Sequence, residues 1–146
     1  MIKNRSVPTD TVLAHVFCAS VEESLGWYAR TFGFTEYYRF GPPGGPASGA
    51  QMRLDNAYIM LKSGKAQGSG PRTHYLTVIV DNVDTHYERA RLAGAKITEE
   101  LNETCYGERQ YGVQDLEGNF WLFSKHVQDL DPSDWGAAVA YPGIPR

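Results

Sequence analysis

The sequence predicts an α+β domain built from two copies of one β-α-β-β-β module. Three observations carry that expectation. Strand-like and helix-like segments run through the same order twice, each helical stretch opens on a capping residue and closes on glycine, and several landmarks recur 62 positions apart.

The elements follow in order. TVLAHVFCAS (11–20) is rich in β-branched and aromatic residues, the composition of a strand. Ser20 and Glu23 then form an S-x-x-E capping box, whose hydroxyl and carboxylate satisfy orphaned backbone N–H groups. Leu25, Tyr28, Ala29 and Phe32 follow at helical spacing, and Gly33 supplies the left-handed stop. TEYYRF (35–40) reads as a strand and GPPGGPASG (41–49) as a loop that forms a rim. AQMRL and AYIMLKS read as the arms of a hairpin turning at Asp55-Asn56. In the second half YLTVIV (75–80) is a strand, and Asn82 or Asp81 caps a helix that carries Val83, Tyr87 and Ala90 on one face and ends at Gly94. AKITEEL, ERQYGVQ and NFWLFSK supply three more strands. Val16 to Val78, Val21 to Val83 and Leu54 to Leu116 are each 62 positions apart, so the chain reads as a tandem duplication in constant register. The modules span about 11–64 and 74–126, joined by the flexible linker KAQGSGP (65–71) and followed by a tail, 127–146, within the single domain 1–146. Pro132 to Ala138 suits a short helix begun by Asp131, and Trp135 and Tyr141 are expected to dock rather than stand in water.

Bulk properties exclude several classes. With 42% hydrophobic residues, 21% charged and a formal net charge of -3, there is no basic stripe for nucleic acid. No run of 18 apolar residues exists to span a membrane, and MIKNRSVPTD has no apolar stretch of signal-peptide length. Cys18 and Cys105 form neither a disulfide framework nor a C-x-x-C pair, which fits a cytoplasmic setting with reduced thiols.

The run S24-L-G-W-Y28, then F32-G-F34, V80-D-N82 and D115-L-E-G118, in that order and spacing, resembles the vicinal oxygen chelate superfamily. That group contains glyoxalase I, extradiol dioxygenases and bleomycin-resistance proteins, and the resemblance covers about residues 12–126. It implies a curved mixed sheet around an open cavity in each module, with a homodimer completing the site. In metal-dependent members four inward His or Glu ligands hold a divalent ion. Here those positions fall on Leu13, Met60, Tyr75 and Leu122. Two leucines have no donor, a thioether is soft and a phenol is weak, so the expected reading is a metal-free site without cofactor. A displaced divalent metal site built from His15, Glu108 and a partner subunit remains the alternative.

Strand alternation turns His15 the same way as Leu13. The predicted ligand-binding residues are Leu13, His15, Tyr58, Met60 and Tyr75, with Thr77, Tyr106, Glu108, Phe120 and Leu122; Ser124 also points inward. Aromatic surface with a few polar handles is the usual lining of a small-molecule site. Glu108 and Arg109 read either as an exposed ion pair or as groups that orient a ligand, while His86 reads as an exposed helix residue. Two functions compete. One is sequestration of an aromatic or cationic small molecule, as in bleomycin resistance. The other is a glyoxalase-like lyase, isomerase or dioxygenase, using a displaced metal or His15 as general base with Glu108 nearby.

Overall fold

The computed structural model describes residues 13–64 and 75–138; the linker 65–71, His74 and Tyr141 lie outside them. The first half contains β1 (Ala14–Cys18), α1 (Val21–Phe32), β2 (Thr35–Phe40), β3 (Gly49–Leu54) and β4 (Ala57–Ser63). The second contains β5 (Leu76–Ile79), α2 (Val83–Leu92), β6 (Lys96–Glu103), β7 (Glu108–Gln114) and β8 (Phe120–His126). Each half folds its strands into a four-stranded mixed sheet, ordered β1-β4-β3-β2 and β5-β8-β7-β6. The strand before each helix pairs in parallel with the last strand of its half, and the remaining pairs are antiparallel. No helix among the described residues is long and apolar enough to cross a membrane.

Local chemistry sets the boundaries. Ser20 accepts a 3.2 Å hydrogen bond from the Glu23 N–H at the start of α1, and Gly33 takes φ 80° at its end. Asn82, not Asp81, caps α2 by accepting from the Thr85 N–H at 3.0 Å. The β3–β4 hairpin turns at Asp55, the single non-glycine residue with positive φ among the described residues. Its short side chain tolerates that conformation better than a bulky one. The tail forms a 3-10 turn at Pro132–Trp135, with the Asp131 carboxylate accepting from Ser133 N–H.

The register is not constant at 62. Ala14 to Leu76 and Tyr58 to Phe120 keep that spacing, matched by their strand pairing, but Gly33 to Gly94 and Arg53 to Gln114 are 61 positions apart. The left-handed glycine after α2 comes one residue sooner than the one after α1, and the β7–β8 turn is longer than the Asp55-Asn56 turn, which restores the count. Leu116 therefore sits in a turn and is not the structural counterpart of Leu54 at the end of β3.

One core serves both halves. Val16, Leu25, Phe32, Met52 and Leu61 of the first join Val78, Val83, Tyr111, Trp121 and Phe123 of the second in a single buried cluster. Phe32, at the end of α1, lies 4.9 Å ring to ring from Phe123 and 5.5 Å from Trp121. Each such pair adds about 1 kcal/mol beyond area burial. Polar groups cross the same junction. The buried Asp115 carboxylate accepts from Tyr28 Oη at 2.5 Å and Trp121 Nε1 at 3.0 Å, and also from Asn119 and the backbone N–H groups of Glu117 and Asn119. Burial and that carboxylate push the Tyr28 phenol far above its ordinary pKa.

His86 is not an exposed helix residue; it is 7% exposed. Its Nε2 lies 2.8 Å from Phe32 O and its Nδ1 2.5 Å from Tyr111 Oη. A carbonyl only accepts, so Nε2 carries the proton and Nδ1 accepts from the tyrosine. The buried face of α2 is Val83, His86 and Ala90, with Tyr87 at its margin.

Candidate functional site

Each sheet presses one face into the shared core and turns the other away from it. On the first sheet the outward set follows from pairing: His15 lies opposite Met60 and Met60 opposite Gln51, while Gln51 lies opposite Tyr38. Leu13, Phe17, Tyr58, Lys62 and Arg53 share that face by alternation. Phe40 lies across Gly49, where an added Cβ would stand 2.3 Å from its ring. On the second sheet the outward set is Tyr75, Thr77 and Ile79 at one edge. Phe120, Leu122, Ser124 and His126 come next, then Glu108, Gln110 and Gly112.

Burial varies across these faces in a way that shapes them. Met60 and Gln51 in the first, and Gln110 and Ser124 in the second, are buried although they point away from the core. Their flanks stand in solvent: His15 is exposed, as are Tyr75 (63%), Ile79 (63%) and Phe120 (41%). Each face is therefore sunken in the middle. The structure brings Leu13, His15, Tyr58 and Met60 together on one face, and Tyr75, Thr77, Glu108, Phe120 and Leu122 on the other. It does not place His15 beside Glu108, because the two belong to outward faces of different sheets. Gln51 and Gln110 had not been singled out, although alternation from Met60 and across the last hairpin leads to both.

The divalent-ion positions do not fit a metal. Leu13 and Met60 lie on the first face and Tyr75 and Leu122 on the second, and together they present no carboxylate or imidazole. Among the described residues no group of three or more His, Cys, Asp or Glu is placed to hold one.

The polar end of the second face is arranged differently from the expected Glu108–Arg109 pair. Neighbours in a strand point to opposite faces, so the two side chains part. Arg109 reaches α2, where it donates to Asp84 at 2.7 Å and holds that carboxyl below its usual range. Glu108 Oε1 lies 3.5 Å from His126 Nδ1, and Asp129 approaches the other ring nitrogen at 3.7 Å.

The rim is anchored. Loop 41–48 is tied to the start of α1 by the Ala47 N–H, which donates to Glu22 at 2.7 Å. On the other side Tyr106 packs on Trp135 at 5.5 Å, which docks the tail as expected for that tryptophan. Val127 and Gln128 donate backbone hydrogen bonds to Gly107 O. Gly107 has φ 90°, and a Cβ there would stand 1.9 Å from Gln128 O. Gly107→Ala is thus expected to release the tail at a cost of about 1–2 kcal/mol. Limited proteolysis should show cleavage within 127–138 that the parent chain resists.

A separate cavity of about 180 Å³ lies at the junction of the halves, lined by Leu54, Asp55, Val80, Asn82, Thr85 and Arg89 among others. Sequence reasoning had no access to it, because the β3–β4 turn and the start of α2 meet only in the folded chain.

Two sheets of this topology, each with one open face, define the scaffold, and comparison with known proteins gives the family. The model of the Glyoxalase/Bleomycin resistance protein/Dioxygenase superfamily matches residues 10–123, and the chain belongs to that superfamily. Among curated proteins, an uncharacterized protein of Mycobacterium bovis is 26% identical over 141 residues, covering 88% of this chain and 91% of its own. Among solved structures, TioX from Micromonospora sp. ML1 superposes with a TM-score of 0.69 at 28% identity, over 81% of this chain and 99% of that one. A glyoxalase/bleomycin resistance protein/dioxygenase family enzyme from Burkholderia phytofirmans PsJN shares the fold with a TM-score of 0.65 at 20% identity, over 79% and 97%.

Proposed function

We propose that the protein binds small molecules without a metal, in the manner of bleomycin-resistance proteins, capturing an aromatic or cationic compound against its open sheet faces. The observation that carries this reading is the second face. Tyr75, Ile79 and Phe120 stand exposed around Leu122, where a catalytic relative would place metal ligands. Exposed apolar surface of this kind on a soluble fold marks a binding surface. Capture is an equilibrium process, in which each ring stacked on an aromatic side chain contributes about 1 kcal/mol beyond its burial.

The site is completed by a second copy. The first face is basic, with Arg53 and Lys62, while the second carries Glu99 and Glu108 against Lys96. A first face of one chain therefore complements the second face of another, and a two-fold pair closes two equivalent clefts. Sedimentation should give the mass of a dimer; a monomer at all concentrations removes this element.

Tyr75→Ala and Phe120→Ala are each expected to weaken binding of a planar aromatic ligand about fivefold, and together to abolish its thermal stabilisation. Unchanged shifts in both variants would place the site elsewhere. The enzymatic alternative needs His15 of one chain to meet Glu108 of another, since one chain separates them. If a substrate is turned over, a His15→Ala variant with full activity excludes histidine as the base.

A further inference from the structure

Ser124 is 2% exposed, yet its Oγ has no hydrogen-bond partner among the described residues, and neither does the buried Oε2 of Glu108. Buried polar atoms without partners are rare, and each costs the desolvation it does not recover. These two are neighbours. On the β7–β8 ladder Glu108 pairs with His126 and Gln110 with Ser124, so Glu108 and Ser124 are diagonal on the same outward face. Gln110, on the same face, turns its Nε2 to Glu99 at 2.9 Å and bonds to neither. The other Glu108 oxygen faces His126, and its backbone N–H is taken by Thr104 Oγ1 at 3.1 Å.

Glu108 Oε2 only accepts and the Ser124 hydroxyl can accept as well as donate, so a positively charged group with several N–H donors can bond to both oxygens together. Two residues along the same strand stands Leu122, and four along stands Phe120, roughly 7 and 13 Å away at strand rise. We propose that this end of the second face is a cation subsite. Glu108 and Ser124 receive the ammonium or amidinium group of a ligand whose flat ring lies on Leu122 and Phe120. This rests on the capture reading above, narrows its ligand to one that is both aromatic and cationic, and adds the span between ring and charge. Neither atom touches bulk water in the free chain, so the entering donor must move the side chains above them.

The test uses the full chain and two matched probes, naphthylethylamine and naphthylethanol, which share ring and length but differ in charge. Fluorescence titration at low salt should show the amine binding about tenfold more tightly, the worth of one charge-assisted hydrogen bond. Glu108→Gln should reduce that preference below about twofold, whereas Glu88→Gln, which removes the same charge from the far side of α2, should keep it. Ser124→Ala should weaken the amine severalfold while holding or raising the melting temperature, because it deletes an orphaned hydroxyl. Equal binding of the two probes overturns the subsite. If both probes then weaken alike in Phe120→Ala, aromatic capture survives alone. If neither probe binds, both readings fall. If Glu108→Gln weakens self-association and leaves the amine preference intact, the acceptors serve chain pairing and the subsite is wrong.

Discussion

Asp115→Asn is expected to cost about 3 kcal/mol and to lower the melting temperature by about 10 °C. The carboxylate is 6% exposed and accepts five hydrogen bonds, three on Oδ2 and two on Oδ1. An amide of the same shape replaces one oxygen with a donor. Whichever way it is turned, that donor meets N–H or O–H groups that themselves need acceptors. The loss should appear in urea titration as a lower midpoint. A double-mutant cycle with Tyr28→Phe should give an interaction energy of about 1 kcal/mol or more, since one variant removes the donor and the other alters the acceptor of the same hydrogen bond. A shift under about 1 kcal/mol for Asp115→Asn would show that the node holds no significant part of the fold together.

The second large effect is with pH. Burial, and to a lesser degree the nearby Arg89, lowers the His86 pKa from an ordinary value near 6.5 to about 4, against the raising effect of the Phe32 carbonyl. In the unfolded chain His86 takes up its proton near pH 6.5, and in the folded chain only near pH 4, so between those values the unfolded state holds more protons. Stability therefore rises with pH across that window: the contribution is complete above about pH 6.5 and is lost as the pH falls to 4, with no further loss below. The shift corresponds to about 3 kcal/mol. Unfolding free energies from urea titration at pH 7 and pH 4.5 should differ by most of that amount. His86→Gln lowers stability at pH 7 but should flatten the dependence; an equal slope in that variant would assign the acid sensitivity to other groups.

The fold was legible in the sequence because its signals are local. Ser20, Gly33, Asn82 and the Asp55-Asn56 turn each act within a few residues, and the structure uses all of them. What local pattern could not supply is the partner of a polar side chain. Asp115 announces a turn, and its backbone bonds to Glu117 and Asn119 are what a turn residue makes. Its bond to Tyr28, 87 positions away, belongs to the tertiary fold. His86 was misplaced by residue type although its spacing was informative: with Val83 and Ala90 it stands at i, i+3 and i+7, one helix face. Of the two readings of Glu108 and Arg109, the ion pair between them fails, since adjacent positions in a strand point to opposite faces and each finds another partner. The candidate site was legible as two sets of outward residues, because alternation fixes which way a side chain points. It was not legible as two separate surfaces, since only the shared core shows that the two sets belong to the outward faces of different sheets.

That shared packing makes the two halves depend on each other. Phe32 and Tyr28 of the first half pack on Trp121 and Phe123 of the second as well as on Trp27 and Phe34 of their own. The hydrogen bonds of Tyr28 and His86 cross the same boundary. The two halves are thus coupled on the inside and separate on the outside: a substitution at the seam is felt by both, whereas one on an outward face is felt by its own half alone.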